Sequence, residues 1–264
     1  MCTLVILHRL RADLPLVVAA NRDELYARAA TGAALIPGEP PILAGSDVSS
    51  GGSWMGATAS GLFVGLTNQR TWRPGPGPRS RGTVVLEALR SGSVAGVERL
   101  LASLDPTELA SFNLFFGDAT RALVAYVRRE EGSVELVELE PGLHVLPNDR
   151  LGSPEFPKIR RAEALAAPLV ELPWPALASG LHGLLGDHSK PALAEVPLPP
   201  ADAPFPHELV RELQALCIHT PLYGTRSATV AALSPGRVEH YLFADGPPCT
   251  TPLRDVTALL PRAG

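Results

Sequence analysis

Two apolar runs open the chain, Thr3-Leu-Val-Ile-Leu7 and Leu16-Val-Val-Ala-Ala20. Both are aliphatic or β-branched with no polar alternation, which marks strands buried on both faces. Arg11-Ala-Asp13 supplies a turn between them, so they predict a hairpin, with Asn21-Arg22-Asp23-Glu24 leaving the end of its second strand. Residues 44–68 carry Gly51-Gly-Ser-Trp-Met-Gly56 and then Leu62-Phe-Val-Gly-Leu66, two strands joined by a tight Ala59-Ser60-Gly61 turn, with Asn68 following the second. Amphipathic spacing then predicts helices over Gly82–Leu89 and Val94–Leu104, the latter with Ser93 as N-cap. Strand patterns return over Phe112–Phe116, Ala122–Arg128, Val134–Leu139 and Leu143–Leu146. Helical spacing resumes over Lys158–Ala166, Pro175–Leu185 and Pro206–Leu216. A last hairpin joins Ser227–Leu233 to Arg237–Phe243 through Ser234-Pro-Gly236.

Hairpin-linked strands alternating with helix pairs predict an α+β class, with mainly antiparallel sheets and helices packed outside them. The Pro-rich stretches at 70–82 and 195–206 are too short to separate domains, so a single domain over 1–264 is expected. Of the 264 residues, 45% are hydrophobic and 19% charged, which suits a buried core rather than a disordered chain. The formal net charge of −4 carries no basic stripe and argues against a nucleic-acid partner. Cysteines stand only at positions 2, 217 and 249, with no disulfide framework, and fit a reducing compartment. Arg9, Arg11 and Asp13 interrupt the first apolar run at once, so neither a secretory leader nor a transmembrane segment is expected, and the expected location is cytoplasmic.

The chemistry points to position 2. Methionine is trimmed efficiently before a small residue, and trimming would give Cys2 both a thiol and a free α-amine. An α-amine has an unperturbed pKa of roughly 7.7–8.0 and can serve as general base toward its own thiol. If residues 3–10 and 15–20 pair as a hairpin, residue 2 and residues 21–23 end side by side, bringing Arg22 and Asp23 to the thiol. Neighbours on a strand face opposite ways, so both reach Cys2 only if the strand bends.

Met1-Cys2-Thr3, the Asn21-Arg22-Asp23-Glu24 tetrad and Gly51-Gly-Ser-Trp54 together resemble the NRDE family, also called the transport and Golgi organisation protein 2 family. Leu66-Thr-Asn68, Ser80-Arg-Gly82, Phe112-Asn-Leu114 with Gly117-Asp118, Pro147-Asn148 through Pro157-Lys158 and Tyr223-Gly-Thr-Arg-Ser227 extend the resemblance in order along the chain. It implies an αββα sandwich of the N-terminal-nucleophile (Ntn) hydrolase type. It also implies likeness to cysteine Ntn hydrolases that cleave amides, such as penicillin V acylases and bile salt hydrolases. On that likeness Cys2 is the nucleophile, Arg22 and Asp23 flank it, Asn68 and Asn148 serve the oxyanion and the free amine, and Arg226 adds a cation. Family members are linked to secretory organisation and to haem or lipid handling. Two functions follow: hydrolysis of a nonpeptide C–N amide bond of a small molecule, or noncatalytic binding of haem or an acyl-type ligand.

Other residues add less. Ser80-Arg81-Gly82 opens a helix, where an anion is favoured, so Arg81 is a candidate substrate contact in a loop that also holds Arg70, Arg73 and Arg79. Trp54 and Trp72 are candidates for a pocket wall. The spacing of His182, Asp187 and His188 fits no metal motif. Cys217 and His219 share a face of a predicted strand, but two ligands are too few, and they are expected as a packed thiol beside a hydrogen-bonded imidazole. Cys249 receives no role, and neither a metal nor a cofactor is expected.

Overall fold

The computed structural model describes residues 2–72 and 77–261. Arg73, one of the loop arginines, lies outside the described residues. Among the described residues, thirteen strands form two antiparallel sheets. The first contains β1 (Thr3–His8), β2 (Leu16–Leu25), β10 (Gly142–Leu146), β11 (Tyr223–Ser234), β12 (Arg237–Ala244) and β13 (Arg254–Asp255), in the order β10-β1-β2-β11-β12-β13. The second runs β3 (Ala30–Ile36), β4 (Ile42–Asp47), β5 (Met55–Thr58), β6 (Phe63–Asn68), β7 (Phe112–Gly117), β8 (Ala122–Arg128) and β9 (Ser133–Glu138), with spatial order following chain order.

Strand periodicity divides the core into three layers. Leu4, Ile6, Leu16, Val18 and Ala20 meet Met55, Phe63, Phe115 and Val124 between the sheets. Val5, Leu7, Val17 and Ala19 turn the other way, onto α3 (Lys158–Ala166) and α4 (Ala176–Leu185). Val64, Leu66, Phe112 and Leu114 face α1 (Arg81–Arg90) and α2 (Val94–Ala102). Two-sided burial explains why β1 and the first part of β2 lack polar alternation. The result is the expected α+β sandwich of two antiparallel sheets between helix pairs.

Three local differences from the sequence reading matter for the site. Asn21–Glu24 lie inside β2, not beyond its end, because β11 pairs along the strand as far as Tyr223↔Leu25. Correspondingly β11 begins at Tyr223 rather than Ser227, with a register shift between Thr225 and Ser227. The predicted helix over Pro206–Leu216 shortens to α5 (His207–Glu212), and the Leu216 carbonyl accepts from Asn21 Nδ2 at 2.8 Å instead. The same amide also donates to Leu185 O at 2.8 Å, joining the end of α4 to β2. Edge strand β3 and its neighbour β4 escaped the pattern, β3 because it is largely exposed or half-buried and so shows no apolar signature.

Candidate functional site

The register of the first sheet builds the site. β1 pairs with β2 as Thr3↔Asn21, and with β10 as Leu4↔Leu146. Extending both ladders to the residue before β1 sets Cys2 opposite Arg22 on one side and Asn148 on the other. All are buried: Cys2 is 7% exposed, Arg22 and Asp23 4% each, and Asn148 0%.

Arg22 and Asp23 keep the alternation of a strand. The Arg22 guanidinium lies over the Trp54 ring, 4.3 Å from its centroid, in the layer between the sheets. Asp23 sits on the helix side, where its Oδ1 accepts from the Thr225 hydroxyl at 2.6 Å. The charges of both nevertheless act on the buried Cys2 thiol. The bulge that leaves Arg226 out of the β2–β11 register lies directly across from this pair, and bulges increase local twist and re-aim side chains. Burial pushes the Cys2 thiol above its ordinary range and the Asp23 charge adds to this, while the Asp23 backbone N–H and Arg22 oppose it.

Lys158 was missed as a site residue, although it closes the sequence block that begins at Pro147. It is the first residue of α3 and only 1% exposed. Burial lowers its ammonium pKa, and the charges of Asp23 and Cys2 oppose that shift. Asp23 behaves reciprocally: burial raises its carboxyl, while Lys158 and the Thr225 hydroxyl pull it back. The opposite charges of the buried Lys158 and Asp23 offset part of each other's burial penalty. The sequence likewise offers Thr225 only as part of a motif. Its hydroxyl oxygen also accepts from Ile218 N at 2.9 Å, so it couples Asp23 to the backbone preceding β11.

The structure brings Asn68 and Asn148 together. Asn148 Nδ2 donates to Asn68 O at 2.7 Å, and Arg70 N donates to Asn148 O at 2.6 Å. The amide orientation follows from the carbonyl partner and leaves Asn148 Oδ1 buried with no hydrogen bond among the described residues. Beneath them a polar bridge ties the sheets. Asn113 Nδ2 reaches Thr67 Oγ1 at 3.0 Å and Asp149 O at 2.9 Å, Thr67 donates to Pro147 O at 2.8 Å, and Arg128 holds Asn113 Oδ1 at 2.9 Å.

Next to this bridge opens a cavity of about 760 Å³. Asn68, Asn148, Glu24, Arg70 and Arg81 supply polar lining, and Trp72, Phe205, Leu209, Leu213 and Leu222 supply apolar wall. The Arg81 guanidinium makes no hydrogen bond with another described residue, whereas that of Arg70 is stacked on Trp72 and Phe156 and paired with Glu155. Trp54 is not among the lining residues: it is 7% exposed and belongs to the inter-sheet core. Trp72 occupies the wall instead. Arg226 does not line the cavity; its guanidinium donates to Tyr26 O at 2.6 Å. The Gly51-Gly-Ser-Trp54 and Ser80-Arg-Gly82 motifs meet at the cavity side, where Ser53 N donates to Gly82 O at 3.0 Å. A Cβ on Gly52 would stand 2.4 Å from the Gly82 carbonyl carbon, so this contact requires glycine.

Known proteins share the fold and the family of this chain. Over 98% of its length the chain superposes on 93% of a conjugated bile acid hydrolase from Clostridium perfringens, solved as its C2A mutant, with TM-score 0.54 at 11% identity. This likeness is of fold, and it assigns the Ntn-hydrolase architecture. The Transport and Golgi organization protein 2 homolog of Bos taurus is 30% identical over 227 residues, covering 81% of this chain and 80% of the relative. The corresponding Mus musculus protein is 28% identical over 228 residues, with the same coverage. The sequence model of the Transport and Golgi organisation 2 family matches residues 1–241, and the chain belongs to that family.

Proposed function

We propose that the protein is an N-terminal cysteine nucleophile hydrolase that cleaves a nonpeptide C–N amide of a small amphipathic acyl compound. The observation that carries this reading is the convergence of Arg22, Asp23 and Asn148 on the thiol at position 2. A thiol raised by burial needs a base beside it, and removal of Met1 supplies the α-amine. The amine takes the thiol proton as sulfur attacks the acyl carbon. It then gives that proton to the departing amine, leaving a thioester that water cleaves. Asp23 holds the ammonium form, and the uncommitted Asn148 Oδ1 accepts one of its N–H groups. Asn68 serves the oxyanion, where losing one donor costs about 100–1,000-fold in rate. The apolar wall from Trp72 to Leu222 takes the acyl chain, and Arg81 takes a polar or anionic end.

Noncatalytic binding of an acyl-type ligand or haem is the rival reading, and the size and apolar wall of the same cavity favour it. One experiment separates them. Intact-mass analysis of the purified chain is paired with an acyl-amide panel, read by amine release, on wild type and Cys2→Ala. The hydrolase reading expects loss of Met1, a transient acyl adduct on Cys2 and no turnover in the variant. Retained Met1, or ligand binding that is unchanged in Cys2→Ala with no amine released by either protein, overturns it.

A further inference from the structure

We infer that His188, Cys217, His219 and Cys249 form a binding site for one zinc-class metal ion, separate from the cavity. Cys217 and His219 lie one residue apart before β11, His188 follows the end of α4, and Cys249 lies in the loop after β12. The pair was already adjacent in the sequence. The fold adds the other two, while His182 turns away to Thr251 O and Asp187 is taken by Arg161.

The geometry is close to that of a tetrahedral centre. One ligand atom from each residue lies within 4.8 Å of every other. His219 Nε2 is 3.6 Å from Cys217 Sγ and 3.3 Å from Cys249 Sγ. A tetrahedral zinc ion with Zn–S near 2.3 Å and Zn–N near 2.0–2.1 Å sets S···N separations of about 3.6 Å and S···S of about 3.8 Å. The four atoms therefore close on a metal with side-chain adjustments and no change of backbone path. His188 Nδ1 donates to the Cys217 carbonyl at 3.0 Å, which leaves Nε2 with the lone pair. A metal-ligating histidine commonly donates its other N–H to a backbone carbonyl in this way, fixing the tautomer.

The donor set selects the ion. Two thiolates and two imidazoles suit Zn²⁺ and disfavour the hard cations Mg²⁺ and Ca²⁺, which take oxygen ligands. Binding exchanges the two thiol protons, released to solvent, for two Zn–S bonds, with no oxidation or reduction. His188, His219 and Cys249 are exposed, so the ion enters from solvent. All four positions carry protein ligands, the composition of a structural rather than a catalytic centre. The ion would join three segments that no disulfide joins. It would also bracket Ile218, whose N–H holds the Thr225 hydroxyl on Asp23.

Metal content settles the inference. The full chain, purified under reducing conditions and stripped with a chelator, is titrated with Zn²⁺ and, separately, with Co²⁺. Expected are one equivalent of zinc, a rise in melting temperature, and cobalt absorption with both tetrahedral ligand-field and thiolate charge-transfer bands. Zinc is also expected to protect Cys217 and Cys249 from alkylation while leaving labelling of Cys2 unchanged. Cys249→Ser and His188→Ala alter exposed positions, so they fold, and each is expected to weaken zinc binding at least ten-fold. Absence of stoichiometric zinc at micromolar concentration, unaltered affinity in both variants, or a Cys217–Cys249 disulfide as the species resistant to alkylation overturns it. Because the readouts are metal content and the two distal thiols, failure here is distinct from failure of the Cys2 chemistry.

Discussion

Thr225→Val tests whether the Asp23 relay is organised as the structure indicates. Valine matches threonine in shape, so the change removes a hydroxyl and leaves the packing nearly intact. Two contacts go: the 2.6 Å bond donated to Asp23 Oδ1 and the 2.9 Å bond accepted from Ile218 N. Thr225 is 1% exposed, so water does not replace either. A hydrogen bond to a charged group contributes roughly 1.5–3 kcal/mol, and a buried amide left unsatisfied costs about 1–3 kcal/mol. The variant should therefore be less stable by about 2.5–6 kcal/mol at pH 7, a large part of the roughly 5–15 kcal/mol of a typical domain.

The pH dependence adds a second constraint. Burial raises the Asp23 carboxyl above its ordinary value of 3.8, so the folded chain binds that proton more tightly than the unfolded chain. Stability from the proton is full below the unfolded value and is lost as pH rises through the folded value. The Thr225 hydroxyl pulls the folded value down and limits that loss. Without it the loss is greater, so wild type and variant should converge in acid and diverge toward neutrality. Urea unfolding at pH 4.5 and pH 7, read by tryptophan fluorescence, measures both differences. A destabilisation below ~1 kcal/mol at pH 7, or one that is equal at the two pH values, refutes the relay.

Lys158→Met removes the buried cation facing Asp23 and Cys2. Iodoacetamide labelling of Cys2 at pH 7.5 should slow several-fold, because a nearby cation favours the thiolate, and an unchanged rate would show that Lys158 does not act on the thiol. Gly52→Ala forces a Cβ against the Gly82 backbone, with an expected cost of about 1–3 kcal/mol in the chemical midpoint, and a neutral result would contradict the close approach. Trp54→Ala should cost about 3–5 kcal/mol by thermal unfolding, since Trp54 is core and the platform for Arg22. If Trp54 were instead a cavity wall, ligand affinity would fall with little change in melting temperature.

The sequence by itself determined the layers and the place of the thiol. Uniformly apolar runs at Thr3–Leu7 and Leu16–Ala20 require strands covered on both faces, and a hairpin between them brings position 2 to residues 21–23 whatever else the chain does. Helix limits were legible where a cap or a strong apolar stripe marks them, as with Ser93 before α2 and over Lys158–Ala166. What the tertiary structure alone decided depends on partners distant in the chain. The extension of β2 through Asn21–Glu24 needs β11, about 200 residues away, and hydrophobic period carries no trace of which strand will pair. Lys158 at the head of an amphipathic helix reads as a surface charge until α3 packs against β10 and β1 and leaves it only 1% exposed. Trp54 and Trp72 are equal candidates for a pocket in the sequence, and only the position of the second sheet sends one to the core and the other to the cavity. Cys249 and His188 are separated from Cys217 and His219 by roughly thirty residues on either side. No local pattern joins them, because a ligand set is a matter of distance in space, and spacing along the chain constrains that distance only within a few residues.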